Sequence, residues 1–206
     1  MIFLHRQNTI GSGIELVDGV EVDVRSTSTG LVMEHDCINY AHHYPRFEDM
    51  VDLYCSLNKQ IIFNIKESGI EEEIIRYMED KPVEWYFLDS QIPDILKISK
   101  NYPEHSHRFI LRISDVESLN FAIIDRINPT FIWLDYSLFH KFDRNNYLFF
   151  VNSCVRQIRS HTQSNIILVS PELYSLDYLD ITKSITNRVK ALRLDVCTKF
   201  PELYRE

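Results

Sequence analysis

Short apolar runs alternate with amphipathic segments along the chain, and this alternation restricts the possible folds more than any other feature. Eight runs rich in β-branched and aromatic residues are typical of strands, at residues 2–6, 20–25, 61–66, 84–89, 108–114, 130–136, 165–170 and 189–196. Segments with helical spacing lie between most of them, which predicts βα units and a parallel sheet. We therefore expect an α/β fold, a minimal (β/α)8 TIM barrel. An open doubly wound sheet is the alternative, but no Gly-x-Gly-x-x-Gly motif follows an early strand.

Three local features refine this expectation. The segment between the first two strands is too short for a crossover helix, so we expect a first helix reduced to a turn or loop. Residues 31–35 predict a further short strand, hairpinned to the second run through the turn at residues 28–30. A helix is expected to begin at Ser114, with this residue as its cap and an acidic residue three positions later.

The composition favours one domain, residues 1–206, and excludes several classes of protein. The net charge of −8 disfavours a nucleic-acid surface, which needs clustered Lys and Arg. No apolar run approaches the roughly 20 residues of a membrane span. The amino terminus lacks the basic and apolar regions of a signal peptide. Cys37, Cys55, Cys154 and Cys197 lie far apart, so we expect reduced thiols in a cytoplasmic protein.

Polar side chains stand at the ends of several predicted strands. In a barrel these strand ends face one shared mouth, where chemistry collects. A single such residue is usually a solvated or locally bonded group, but several together indicate a site. The residues concerned are His5, Arg6, Glu21, Asp23, His35, Asn64, Lys66, Arg112, Trp133 and Asp135.

The pair Glu21 and Asp23 needs an explanation, because alternation places both carboxylates on one face of a strand, roughly 6–7 Å apart. Burying two unpaired like charges costs several kcal/mol or forces protonation. A hard divalent cation would remove that cost. Ion pairs with Arg6, Arg25 or Lys66 would do the same, and both explanations stay open.

The strand-end motifs resemble those of the glycerophosphodiester phosphodiesterases, within the wider superfamily of barrels related to phosphatidylinositol-type phospholipases C. The residues that carry the resemblance are His5-Arg6, the Glu-x-Asp-Val-Arg segment at 21–25, His35-Asp36 after a turn, and the Ile-Lys ending at Lys66. The carboxyl-terminal segment 195–204 is similar to the family's closing strand.

The resemblance implies a metal-dependent phosphodiester hydrolase of lipid metabolism, acting on a glycerophosphodiester or related polyol-phosphate diester. Its small-molecule substrate would meet two histidines as general acid and base, a Mg²⁺ or Ca²⁺ ion, and cationic side chains on the phosphate. The implied roles are catalysis by His5 and His35, metal binding by Glu21, Asp23 and Asn64, and phosphate binding by Arg6 and Lys66. Arg112, from its position at the end of the fifth run, would contact phosphate or a substrate hydroxyl, and Trp133 would pack on the substrate or fill the barrel interior.

Three departures from the family pattern bear on this expectation. Gln7 stands where the family has Gly, and the family's Pro-Glu-Asn-Thr segment is shortened to residues 7–13. Asn64 replaces an acidic third metal ligand, and an amide oxygen can coordinate a hard cation but brings no charge. A phosphate-binding barrel without catalysis is therefore the alternative function. In a third interpretation the carboxylates are structural only.

Overall fold

The computed structural model describes residues 1–136 and 144–205, and its strands form one sheet. The strands are β1 Ile2–Leu4, β2 Gly19–Thr27, β3 Gly30–Met33, β4 Gln60–Ile65, β5 Trp85–Leu88, β6 Phe109–Ile113, β7 Phe131–Leu134, β8 Asn165–Val169 and β9 Asp195–Thr198.

Eight of these strands are parallel and close into a barrel. They follow the order β1, β2, β4, β5, β6, β7, β8 and β9, and the pairing of β1 with β9 and with β2 closes the ring. β3 lies outside the ring, antiparallel to β2, with Thr27 opposite Gly30. The (β/α)8 barrel and the hairpin predicted from the sequence are therefore confirmed.

Helices follow most strands, as the alternation predicts. They are α1 Phe47–Ser56, α2 Glu71–Met78, α3 Ile92–Asn101, α4 Phe121–Ile127, α5 Arg144–His161, α6 Leu179–Ala191 and α7 Glu202–Arg205. Between β1 and β2 the only helical turn is a 3₁₀ turn at Ile14–Leu16, so the expected reduction of the first helix is confirmed. None of the described helices is long and apolar enough to cross a membrane.

Two predicted boundaries are wrong. The run at 189–196 is not one strand, because α6 continues to Ala191 and buries Ile185 and Val189 at helical spacing; β9 begins only at Asp195. The helix expected at Ser114 begins instead at Phe121, where the Asn120 side chain accepts a hydrogen bond from a backbone N–H of the first turn. The Ser114 hydroxyl accepts from the N–H of Val116 in a local turn, which gives the backbone an alternative to helix.

The barrel interior explains how the strands position a site. A separate cluster of buried side chains contains residues of the barrel strands only, among them Phe3, Ile62, Tyr86, Ile110 and Phe131. Side chains two positions apart point to the same face of a strand. Inward positions further along β1, β4, β6 and β7 therefore present polar side chains at the carboxyl ends of the strands, namely His5, Asn64, Lys66, Arg112 and Asp135. Register places Glu21 beside Ile62 and Asp23 beside Asn64, so both acids point inward as well.

Candidate active site

A cavity of about 330 Å³ lies at the carboxyl ends of the barrel strands. The side chains around it come from strands β2, β4, β5, β6, β7 and β8 and from the segments that follow β1, β3, β4, β5, β7 and β8. Every site residue predicted from the sequence lines this cavity except Asp23, which is buried beside it. These residues are His5, Arg6, Glu21, His35, Asn64, Lys66 and Arg112, with Trp133 and Asp135.

Arg6 joins the end of β1 to the buried carboxylates. Its backbone has φ of 50°, in the left-handed region, and its N–H donates to Glu21 Oε2 at 2.7 Å. Its guanidinium Nε lies 3.5 Å from Asp23 Oδ2. A non-glycine residue in this conformation is uncommon and occurs often at functional sites. One residue therefore contacts both acids, through its backbone and through its side chain.

Asp23 has two donors besides the Arg6 guanidinium. Lys66 Nζ lies 2.9 Å from Oδ1, and the Asn8 amide donates to Oδ2 at 2.9 Å. Asn8 also accepts the backbone N–H of Asp23 at 2.8 Å. Asn8 was not among the site residues predicted from the sequence. The Asn-Thr pair at residues 8–9, which resembles the end of the family's Pro-Glu-Asn-Thr segment, was the signal that could have indicated it.

Glu21 is 1% exposed and is held by two hydrogen bonds. Besides the Arg6 amide, the Asn64 Nδ2 donates to Glu21 Oε1 at 2.8 Å. Burial, and then the charge of Asp23, raise the pKa of Glu21 to about 7. We refer to Glu21 and Asp23, with their donors Arg6, Asn8, Asn64 and Lys66, as the acid-pair cluster.

The two histidines reach the cavity from different elements. His5 follows β1, and its Nε2 lies 3.8 Å from Glu21 Oε2. Burial, and then the charge of Arg6, lower the pKa of His5 to about 4, so this imidazole is neutral at pH 7. His35 follows β3, is more exposed, and places Nδ1 2.8 Å from Asp36 Oδ1. The Arg25 guanidinium donates to the His35 carbonyl oxygen and fixes the turn.

Arg112 lies on the opposite side of the cavity within its own ion pairs. Its Nε and Nη2 donate to Asp89 at 3.1 and 2.7 Å, and its Nη1 donates to Asp135 Oδ2 at 2.7 Å. Asp135 also accepts from the Tyr174 hydroxyl. We refer to Arg112, Asp89 and Asp135 as the Arg112 cluster. Because all three nitrogens of the guanidinium are engaged, the structure gives no support to the predicted phosphate contact of Arg112, which stays a prediction.

The structure shows where the side chains of Gln7 and Trp133 lie relative to the cavity. The Gln7 side chain turns away from the cavity and bonds its own loop, donating to the His5 carbonyl and accepting from the Gly11 N–H. It therefore shapes the β1–β2 connection and does not block a ligand. Trp133 is buried in the interior cluster and also forms part of the cavity wall. Of the two roles considered for it, packing on the substrate or filling the barrel interior, this position agrees with the second.

The residues that the resemblance assigns to a divalent cation lie together, but their arrangement does not fit a bound ion. Asn64 presents its amide nitrogen to Glu21, while its Oδ1 is buried without a hydrogen-bond partner in the described structure. Lys66 already occupies one oxygen of Asp23. Within residues 1–136 and 144–205, no three His, Cys, Asp or Glu side chains are grouped to hold a metal ion.

Comparison with known proteins shows that this chain is similar in fold to solved structures. Neither a protein-family model nor a curated protein sequence matches this chain. One similar solved structure is a phosphodiesterase of Oleispira antarctica in complex with the product sn-glycerol-3-phosphate, with a TM-score of 0.62 and 12% identity over 99% of this chain and 94% of that one. Another is a glycerophosphoryl diester phosphodiesterase of Parabacteroides distasonis, with a TM-score of 0.66 and 10% identity over 99% and 84% of the two chains. The resemblance seen in the motifs therefore extends to a common barrel fold over nearly the whole chain.

Proposed function

We propose that this chain is one catalytic barrel domain that hydrolyses a small phosphodiester, a glycerophosphodiester or related polyol-phosphate diester. The observation that carries the proposal is that two imidazoles and two cationic side chains line one cavity at the carboxyl ends of the strands, those of His5, His35, Arg6 and Lys66. The similarity in fold to two phosphodiesterases, one of them bound to a glycerol phosphate product, supports it.

Arg6 and Lys66 take the phosphate in this proposal. A phosphodiester transition state spreads negative charge over its oxygens, and fixed cations in a partly dry site stabilise that charge. Lys66 is suited to this because its ammonium has three N–H donors and Asp23 takes one of them. Arg6 adds a planar fork that can meet two phosphate oxygens.

His5 and His35 act as the acid–base pair. The His5 imidazole, which is neutral at pH 7, accepts the proton of the attacking hydroxyl as the new P–O bond forms. His35 donates a proton to the leaving alkoxide as the old P–O bond breaks. Asp36 beside its Nδ1 orients this ring. The attacking hydroxyl comes from water or from the substrate itself.

A phosphate-binding barrel without turnover is the second candidate. The observation that favours it is that Arg6 and Lys66 are already paired with Asp23 and that Asn64 replaces the acidic ligand of the resembled family. Metal dependence, cytoplasmic location and a role in lipid metabolism stay predictions of the sequence.

Turnover assays separate the two candidates. We expect the protein to cleave bis-p-nitrophenyl phosphate, or one of a panel of glycerophosphodiesters, tested with Mg²⁺, Ca²⁺, Mn²⁺ and with EDTA. His5→Ala and His35→Ala should each lower the rate by about 10²–10⁴-fold, the usual contribution of general acid–base catalysis. His43→Ala, in the solvent-exposed loop after β3, serves as the matched control and should leave the rate unchanged. Rates in wild type equal to those of both histidine variants, with binding of the product glycerol phosphate retained, would favour the binding barrel.

A further inference from the structure

Every oxygen of the two buried carboxylates already has a protein donor. Glu21 accepts from the Asn64 amide at 2.8 Å and from the Arg6 backbone at 2.7 Å. Asp23 accepts from Lys66 on Oδ1 at 2.9 Å and from Asn8 on Oδ2 at 2.9 Å. The protein alone therefore gives each of the four carboxylate oxygens one donor, without a cation.

When Glu21 is ionised, the charges in the acid-pair cluster balance as well. Two carboxylates face one ammonium and one guanidinium, with Lys66 Nζ 2.9 Å and Arg6 Nε 3.5 Å from Asp23 oxygens. A divalent ion between Glu21 and Asp23 would lie beside the Lys66 ammonium and repel it at short range. The ion would also have to displace, or share oxygens with, the donors already bound.

Asn64 determines whether protein donors or a cation hold the two acids. Its Nδ2 donates to Glu21 Oε1 at 2.8 Å, and rotating the amide by half a turn would place Oδ1 against Oε1 of an ionised Glu21, two acceptors without a proton between them. A carboxylate at this position would remove the donor and add a third negative charge. With Lys66 and Arg6 still in place, the three acids would then leave the site with excess negative charge, which favours binding of a cation.

We propose that this site binds phosphate without a resident divalent cation, because Lys66 and Arg6, positioned by Asp23 and Glu21, supply the positive charge, and that Asn64 is the residue that excludes the ion. The proposal rests on the proposed phosphodiester function and specifies how that site meets its ligand. Glu21 and Asp23 are positioning residues in it, since they act on phosphate only through the two cations.

Calorimetric titration with MgCl₂, CaCl₂ and MnCl₂ is the direct test. We expect no saturable binding to the wild-type protein below about 10 mM, and we expect Asn64→Asp and Asn64→Glu to bind one cation per chain with a Kd of about 10⁻⁵–10⁻³ M, as modest oxygen-ligand sites do. Gln60→Glu is the matched control, because it changes a carboxamide to a carboxylate at the first residue of the same strand, at the other end of the barrel. It should bind none.

Binding of sn-glycerol 3-phosphate provides a second measurement that needs no variant at position 64. Its affinity for the wild-type protein should change less than twofold between EDTA and excess Mg²⁺, and Lys66→Met should weaken it by at least about tenfold, since a charge-assisted contact is lost. Wild-type binding of one cation at micromolar concentration, lost in Asp23→Asn, would overturn the proposal, whether or not the position-64 variants fold.

The outcomes separate this inference from the proposed function. Phosphate binding only in the presence of a cation would overturn the inference and leave the phosphodiesterase standing. Metal-independent phosphate binding without turnover would overturn the hydrolase and support the inference. Binding of neither phosphate nor cation would overturn both.

Discussion

The acid-pair cluster and the Arg112 cluster face each other across one cavity and contain the same kinds of side chain, yet they leave different groups for a ligand. In the Arg112 cluster one guanidinium is divided between two carboxylates, and all its nitrogens are engaged. In the acid-pair cluster two carboxylates share two cations, and Lys66 uses one contact of its ammonium on Asp23. Ion pairs therefore stabilise one wall, while the other wall keeps donors that an anion can use.

The largest expected effect tests the acid-pair cluster. Lys66→Met should lower kcat/KM for a phosphodiester by about 10³-fold, about 4 kcal/mol of transition-state stabilisation, because a preorganised cation is lost next to developing charge. Steady-state kinetics measure this. The comparison between the two walls breaks down if Arg112→Met has an equal effect on kcat/KM.

The next largest effect tests the Arg112 cluster. Arg112→Met should lower the free energy of unfolding by about 2–3 kcal/mol, because Asp89 and Asp135 lose their shared partner in a partly exposed site. Urea denaturation measures the change. The double variant with Asp89→Asn should recover part of it, since one unpaired charge is removed. A variant as stable as wild type would show that the ion pairs contribute nothing to this wall.

Asn8 sharpens the comparison within the acid-pair cluster. Asn8→Ala removes both hydrogen bonds to Asp23 and should cost about 1–2 kcal/mol of stability, with KM raised because Lys66 and Arg6 lose a fixed partner. Asn187→Ala, on the exposed face of α6, is the control and should stay within about 0.5 kcal/mol of wild type. An unchanged melting curve for Asn8→Ala would remove Asn8 from the cluster.

The smallest effect concerns Gln7, the residue that departs from the resembled family's glycine. Gln7→Ala removes two hydrogen bonds of the β1–β2 loop and should lower stability by about 1 kcal/mol. Turnover should change less than threefold, because the Gln7 side chain does not line the cavity. Gln7→Gly should be slightly less stable than Gln7→Ala, through added freedom of the unfolded chain. A large loss of turnover in Gln7→Ala would place this side chain in the site.

Sequence patterns predicted the barrel and most of the cavity wall because both follow from strand periodicity. Alternation alone predicts that Asn64 and Lys66 point inward together, and parallel strands bring their ends to one rim. Pairing within the rim is not encoded in periodicity. That Arg112 is divided between Asp89 and Asp135 depends on the register of three neighbouring strands, and that Asn8 binds Asp23 depends on the path of a shortened loop.

Two boundaries were wrong for local reasons. The run that begins at Val189 is rich in apolar residues, as a strand is, and only the burial of Val189 with Ile185 at helical spacing assigns its start to α6. Ser114 has the chemistry of a helix cap, but its hydroxyl closes a turn, and Asn120 caps the helix that follows. In both cases the residue types allowed two structures; packing of the helix selected one at Val189, and a local hydrogen bond selected the other at Ser114.

The side chains that fill the barrel and those that line its mouth follow each other on the inward face of the same strands, with one outward-facing residue between them. Deleting or inserting a single residue within β4 would therefore exchange its faces, so that Asn64 and Lys66 would point toward the surrounding helices and Phe63 toward the mouth. Replacing Ile62 by a larger or smaller side chain would also shift Asn64 and Lys66, which follow it toward the carboxyl end of β4. Variation in this chain is thus expected to concentrate in loops and helices, while the lengths of its strands stay constant among functional descendants.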